Sequence, residues 1–240
     1  MEYVVKNFKE EIQKFLWMLQ SNKNFSLARF GDGEMIAMRG ECISSGYGEW
    51  STNGFDDRYD LARNLLHKSF TYKDPNYYVG IVCPCCQGYN NFNNMKKLSD
   101  QSDENLTYAN IFVNSNYQYF INNYIELFKK RNIILVANEK SKVNNLPFSG
   151  EAFIPVKYNA WVENINLVDE LKNWKTENKL YLFACGPLGK ILAQQLWEVN
   201  KNNTYLDIGS TLHPWLQSDL NIRGYYILDH SDNKKICYWG

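Results

Sequence analysis

Two carboxylates set two residues apart, Asp32 and Glu34, stand in the run "SLARFGDGEMIAMRG", with Gly31 before them and Gly33 between them. The short apolar stretch "FSLARF" reads as a strand, so the acids fall at the edge of a core element. If the chain stays extended through Asp32, Gly33 and Glu34, both side chains point to one side; a turn lets them converge in another way. Either geometry suits a hard divalent cation held through oxygen, with open positions left for phosphate oxygens and water. A nucleotide diphosphate bridged by Mg²⁺ or Mn²⁺ has that chemistry, and glycine on each side lets its backbone neighbour approach closely. The plainer alternative is a solvated turn in which Asp32 caps the helix that begins near Met35.

A second candidate is "FACGPLGKIL". A strand ends near Cys185, Gly186 makes the turn, Pro187 suits the first helical position, and the free N–H groups beyond it favour an anion. Gly189 allows close helix packing, and Lys190 either reaches a phosphate or faces solvent. The run matches neither the P-loop nor the dinucleotide glycine spacing. A third candidate is "YLDIGSTLHPW", where Asp207 ends a strand with Gly209 behind it, the place where doubly wound sheets expose functional groups. Asp229, beside His230, is another strand-end acid. Asp207 and Asp229 are each candidates for a general base or for a loop cap.

"CPCC" (Cys83, Cys85, Cys86) invites a metal reading, but three thiols within four residues do not readily converge, and Cys42, Cys185 and Cys237 stand at no recognised ligand distance. Buried, reduced thiols at a strand end are expected, since Cys83 and Cys86 lack the helical setting of a redox pair. His67, His213 and His230 are dispersed, and no Gly-x-Ser-x-Gly elbow supports a serine hydrolase.

The elements that must position these groups alternate. Phe8, Ile12, Phe15, Leu16 and Leu19 recur at helical spacing, which makes residues 1–20 an amphipathic helix. Helices are expected over Arg58–Phe70, Met95–Leu98, Tyr117–Lys130, along "WVENINLVDELKNWKTEN", and briefly after Pro214. Strands are expected at "YYVGIVCP", "YANIFVN", "NIILVANE", "EAFIPVKY" and "GYYILDH". "KLYLFACGPLGKILAQQLWEVNKNNTYLDIGS" supplies a βαβ unit. This alternation argues for an α/β fold, a Rossmann-like, mostly parallel sheet with helices on both faces. The 240 residues suffice for one core, so one domain over 1–240 is expected. With 26 basic residues against 26 acidic ones, nothing points to nucleic acid. No apolar run approaches membrane-spanning length and no basic-then-apolar leader opens the chain, so a soluble, cytoplasmic protein without a transmembrane segment is expected.

With "RFGDGE", "ACGPLGKILAQQL" and "YLDIG" in this order, the sequence resembles the bacterial glycosyltransferases of the GT-D fold, formerly a domain of unknown function. In that family an Asp-x-Glu pair in a "GDGE" setting holds a divalent metal beneath a nucleotide-sugar diphosphate, and Asp32 and Glu34 stand at the matching positions. The family's "GP" turn falls on Gly186 and Pro187, and its "DIG" strand end on Asp207, Ile208 and Gly209. Where family members commonly carry histidine after "DIG", this chain has Ser210, and Leu188 follows the "GP" turn.

The resemblance implies metal-assisted glycosyl transfer in glycan biosynthesis. A nucleotide-diphosphate sugar, a UDP-sugar first among them, would donate to a glycan or glycoconjugate acceptor with Mn²⁺ or Mg²⁺ held by Asp32 and Glu34. Arg29 would contact phosphate, support the acids or form a structural ion pair. The loop Ser44–Asp57, with Tyr47, Glu49, Trp50 and Asp57, offers the aromatic faces and carboxylates that suit sugar contacts. Glu49 and Asp207 both stand as bases for the acceptor hydroxyl. A homodimer is a further expectation from the aromatic inventory. The alternatives are a catalytically degenerate nucleotide- or carbohydrate-binding domain and another metal-dependent phosphate-ester enzyme.

Overall fold

The computed structural model describes residues 5–42, 50–52, 57–217 and 236–240. Its elements follow in the order α1 (Phe8–Gln20), β1 (Ser26–Arg29), α2 (Asp32–Met38), α3 (Asp57–Thr71), β2 (Tyr77–Ile81), α4 (Pro84–Ser99) and β3 (Leu106–Tyr108). A helical segment then runs as α5 (Tyr117–Tyr119), a π turn (Phe120–Tyr124) and α6 (Ile125–Phe128). It leads to β4 (Ile133–Asn138), β5 (Ala152–Val156), α7 (Ala160–Glu163), α8 (Leu167–Lys172), β6 (Leu180–Ala184), α9 (Pro187–Val199), β7 (Thr204–Asp207) and α10 (His213–Leu216).

Among the described residues the strands form one seven-stranded sheet in the order β3-β2-β1-β7-β6-β4-β5. Every pairing between these strands is parallel. Strands covered on both faces need apolar residues at successive positions, and β4, "IILVAN", is buried from Ile133 to Ala137. β5 lies at an edge, where Pro155 is tolerated. Neighbouring tyrosines mark the two faces. The Tyr77 hydroxyl donates to the Ser69 carbonyl of α3 (2.7 Å), while the Tyr78 ring meets Phe15 of α1 edge-on at 5.1 Å. Helices therefore cover both faces.

The amphipathic stripe of α1 is buried at Phe8, Ile12, Phe15, Leu16 and Leu19. The helix begins at Phe8 because the Asn7 side chain caps it, accepting from the Lys9 and Glu10 N–H groups at 2.9 and 3.2 Å. α9 is the central helix, packed on β1, β6 and β7 with α3, α7 and α8 around it. Pro187 through Trp197 are all buried, including Lys190, Gln194 and Gln195.

Three expectations change, and a fourth lies outside the described residues. The strand expected over "YANIFVN" lies earlier, at Leu106–Tyr108, sharing only Tyr108 with that run, and the Ala109 carbonyl accepts from Arg29 Nη1 at 2.9 Å. The Asn-rich stretch after Pro84 is helical through Ser99, broken once at Gly88, because Pro84 begins the helix and Phe92 and Met95 supply buried residues. The long helix expected after Trp161 divides into α7 and α8, with Asn164 outside helical geometry between them. The strand expected at "GYYILDH" lies outside the described residues, with Asp229 and His230.

Gly189 lets α9 sit close on the sheet, since a Cβ there would stand 3.0 Å from the Cβ of Phe183 on β6. Gly189→Ala is expected to cost about 1–3 kcal/mol as the helix is pushed outward, read as a lower urea midpoint at unchanged slope. An unchanged midpoint would show that this approach is not a constraint.

Candidate functional site

A parallel sheet puts the carboxyl ends of its strands on one edge, where ligands of open α/β folds bind. Here β1 ends at Arg29 and β7 at Asp207, and α2 and α9 begin after β1 and β6. Asp207 is 1% exposed, and Lys190, Arg29 and Glu34 are also buried. Lys190 Nζ stands 3.0 Å from Glu34 Oε1 and 3.3 Å from Asp207 Oδ2, and it donates to the Gly186 carbonyl at 3.2 Å. Arg29 donates its backbone N–H to Asp207 Oδ2 (3.0 Å) and Nε to the Asp207 carbonyl (2.6 Å). Its Nη2 lies 4.0 Å from Asp207 Oδ1, and the guanidinium rests on the Phe112 ring. Gly209 N–H donates to the remaining oxygen of Asp207 at 3.1 Å. Two cations and two anions thus balance in one buried cluster joining β1, β7, α2 and α9.

Burial alone would push the Lys190 ammonium down, but the carboxylates of Asp207 and Glu34 outweigh it, and the net shift is upward. Lys190 is charged at neutral pH and buried. Arg29 is likewise turned into the cluster as a structural ion pair.

Asp32 and Glu34 lie in the first turn of α2, for which Gly31 is the N-cap. Two helical residues apart means roughly 200° around the axis, so the two side chains diverge. Glu34 turns inward, with Oε1 on Lys190 and Oε2 accepting from the Gly31 N–H at 2.8 Å. Asp32 is exposed, taking its own turn's Gly33 N–H (3.0 Å) on Oδ1 and the Gln87 amide (3.1 Å) on Oδ2. As a cradle for Mn²⁺ or Mg²⁺ the pair fits in one half. Asp32, exposed and accepting from two neutral donors, offers an accessible hard oxygen donor, whereas Glu34 is buried and paired with the Lys190 ammonium.

At the start of α9, Gly186 has φ +60°, a conformation that favours glycine, and a Cβ there would meet Cδ1 of Trp50 at 3.1 Å. The Trp50 indole therefore lies against the turn expected to receive an anion. It packs edge-on to Trp161 (6.2 Å), whose Nε1 donates to Asn159 Oδ1 (3.0 Å). The same oxygen accepts from the Ser51 N–H (3.0 Å), and the Asn159 amide donates to the Tyr59 hydroxyl (2.9 Å). Of the loop expected to contact sugar, Trp50 and the exposed Asp57 are described; Tyr47 and Glu49 lie outside the described residues. Gln87, Asn159 and Trp161 were missed in the sequence because nothing local marks them.

The cysteines depart most from expectation. Cys83 is the N-cap of α4, so the helical setting thought missing is present. Cys237, brought from the far end of the chain, completes a group with Cys83, Cys85 and Cys86 whose sulfurs all lie within 4.8 Å of one another. Such a set is able to coordinate a metal ion, and its thiols suit softer ions than Mn²⁺ or Mg²⁺. Cys185, by contrast, is held as a neutral thiol, pushed up by burial and then by Asp207. Among the described residues no helix is long and apolar enough to cross a membrane.

No family model matches the chain. No curated protein matches it either. Solved structures do. One, described as "the highly conserved domain of unknown function 1792" with "a distinct glycosyltransferase fold", aligns at TM-score 0.56 and 18% identity over 83% of this chain and 77% of that one. Another, described as a new glycosyltransferase (DUF1792) from Streptococcus sanguinis, aligns at TM-score 0.60 and 17% identity, covering 93% of this chain and 91% of that one. At such identities the likeness is one of fold, not of motifs: a mostly parallel α/β sheet, helices on both faces, in the GT-D arrangement.

Lys190→Met keeps an unbranched, apolar stem one atom shorter than the lysine and leaves Glu34 and Asp207 without their shared cation. It is expected to cost about 3–5 kcal/mol in chemical denaturation. Because the folded Lys190 value lies above its ordinary 10.5, its contribution is complete below that value and is lost only as pH rises through the higher one. Lys190 itself therefore adds no slope to wild-type stability between about pH 6 and 9. A variant as stable as wild type would contradict the cluster's role.

Proposed function

We propose that the chain, as one domain, is a glycosyltransferase that moves a sugar from a nucleotide-diphosphate sugar to a hydroxyl of a glycan or glycoconjugate acceptor, with a UDP-sugar as first-choice donor. The observation that carries the reading is an exposed Asp32 at the carboxyl edge of β1, in a fold shared over most of its length with a chain described as a glycosyltransferase.

In this reading Asp32 would hold Mn²⁺ or Mg²⁺, and the ion, when bound, would supply charge neutralisation for a departing diphosphate. Glu34 joins it only by leaving Lys190, and otherwise anchors the first turn of α2 so that Asp32 stays outward. The N-termini of α2 and α9 favour negative charge on this edge, with Gly31, Gly33, Gly186, Pro187 and Gly189 forming the two turns. Trp50, resting on Gly186, provides an aromatic face for the sugar or base. Arg29, Lys190 and Gly209 act by fixing Asp207 and the strand ends. Asp207 is almost inaccessible and fully engaged, so Glu49 is the better base for the acceptor hydroxyl. Homodimerisation through exposed aromatics such as Trp17 and Trp174 remains part of the proposal and is read from molar mass in solution.

A second reading, a binding domain that has lost transfer, is favoured by one observation, the commitment of Glu34 to Lys190. UDP-, GDP-, TDP- and CMP-sugars with Mn²⁺ and mixed glycan acceptors separate the two, since transfer product supports the enzyme and binding without product supports the degenerate site. Nucleotide turnover without an acceptor would indicate a phosphate-ester enzyme. Asp32→Asn is expected to weaken Mn²⁺-dependent nucleotide binding about tenfold or more, roughly 1.4 kcal/mol, measured by calorimetry. Equal, metal-independent binding by wild type and variant would refute the role given to Asp32.

A further inference from the structure

The sulfurs of Cys83 and Cys85 lie 3.2 Å apart and those of Cys86 and Cys237 lie 4.0 Å apart, with all four inside 4.8 Å. No disulfide joins any of them. We infer that these four cysteines form a structural zinc site that fastens the C-terminal segment to the start of α4. The inference does not depend on the transfer reading.

Three observations support it. First, the spacing suits the ion. A tetrahedral Zn²⁺ with Zn–S bonds of about 2.3 Å sets its sulfurs about 3.8 Å apart, within the observed spread. An all-thiolate set selects zinc or iron–sulfur chemistry and rejects the hard cations suited to Asp32.

Second, the surroundings offer donors to sulfur. The Asn110 amide nitrogen lies 3.7 Å from Cys83 Sγ, 3.3 Å from Cys86 Sγ and 3.0 Å from Cys237 Sγ, and that of Asn114 lies 3.4 Å from Cys237 Sγ. Asn110 aims its NH₂ at the sulfurs while its buried Oδ1 has no hydrogen-bond partner. Acceptor sulfurs, as in metal-bound thiolates, call for that orientation, and such outer donors are typical of metal sites. Cys83, Cys85 and Cys86 also occupy the N-cap and first turn of α4, where negative charge is favoured.

Third, the site has something to hold. Cys86 and Cys237 are 151 positions apart. The segment carrying Cys237 also touches α4 and its neighbours through Trp239, edge-on to Phe92 (5.1 Å) and Tyr108 (4.9 Å), and through Tyr238, which bridges Asn7 and meets the Tyr89 ring (6.4 Å). An ion joining that segment to α4 closes a long loop in the folded state. It also steadies the helix start that carries Gln87, the hydrogen-bond partner of Asp32.

The test uses the full chain, purified under reducing conditions and loaded with Zn²⁺ alone. Elemental analysis is expected to give about one zinc per chain, and Co²⁺ loading should give the visible bands and thiolate charge transfer of a tetrahedral sulfur site. Four thiols should resist alkylation until a chelator is added. Cys237→Ser is expected to weaken zinc binding about tenfold or more, while Cys42→Ser, outside the cluster, retains it. Loaded wild-type protein without zinc, without the cobalt bands, or with iron instead would overturn the inference. So would a folded Cys237→Ser that holds zinc as wild type does; if that variant does not fold, the wild-type zinc, cobalt and alkylation results decide.

Discussion

Asp207 and Lys190, buried together where β1, β7, α2 and α9 meet, are the contact on which the carboxyl edge of the sheet depends. A charge in that position is costly unless paired. The pairing is complete only because Arg29, from the next strand, and Glu34, from the following helix, join it. Each contributor comes from a different element, so the cluster fixes those elements relative to one another. The first turn of α2 is tied to the first turn of α9, and the end of β1 to the end of β7. Gly209 and Gly186 complete it with a backbone N–H and a carbonyl.

That clamp decides the roles of the two acids in "GDGE". Once Glu34 is drawn inward by Lys190, helical geometry turns Asp32 outward, where Gln87 steadies it. The molecule thereby separates its two sets of potential ligands. Oxygen donors stand at the edge where the proposal puts a diphosphate, and sulfur donors gather around the start of α4, next in sequence to Gln87, which holds Asp32. Hard and soft cations do not compete for such different sites.

Much of this fold was legible because its signals are local. The continuous apolar run of β4, the strand–turn–helix–strand of "FACGPLGKIL" through "YLDIG", and the stripe of α1 each declare themselves within one or two turns of chain. The failures share a different cause. α4 was hidden because its asparagines give weak propensity, while its proline start and two buried anchors, Phe92 and Met95, count only once the sheet is present. The cysteine cluster was discounted because its fourth member is contributed from the chain's far end. Lys190 was read as reaching for solvent or phosphate because nothing near it in sequence reveals that Glu34 and Asp207 converge there. The alternate spacing of Asp32 and Glu34 suggested a shared side, but that inference holds in a strand and fails in a helix, and the helix begins at Asp32 itself.

The most direct test is a crystal structure of the full chain with UDP and Mn²⁺, using anomalous scattering to locate the manganese. The account predicts a peak within about 2.2 Å of an Asp32 oxygen, a typical hard-cation distance, with the diphosphate along the carboxyl edge between α2 and α9 and Glu34 still paired with Lys190. A nucleotide bound elsewhere, or one bound at this edge with manganese held by Glu34 and Asp207 while Asp32 stands free, would contradict it.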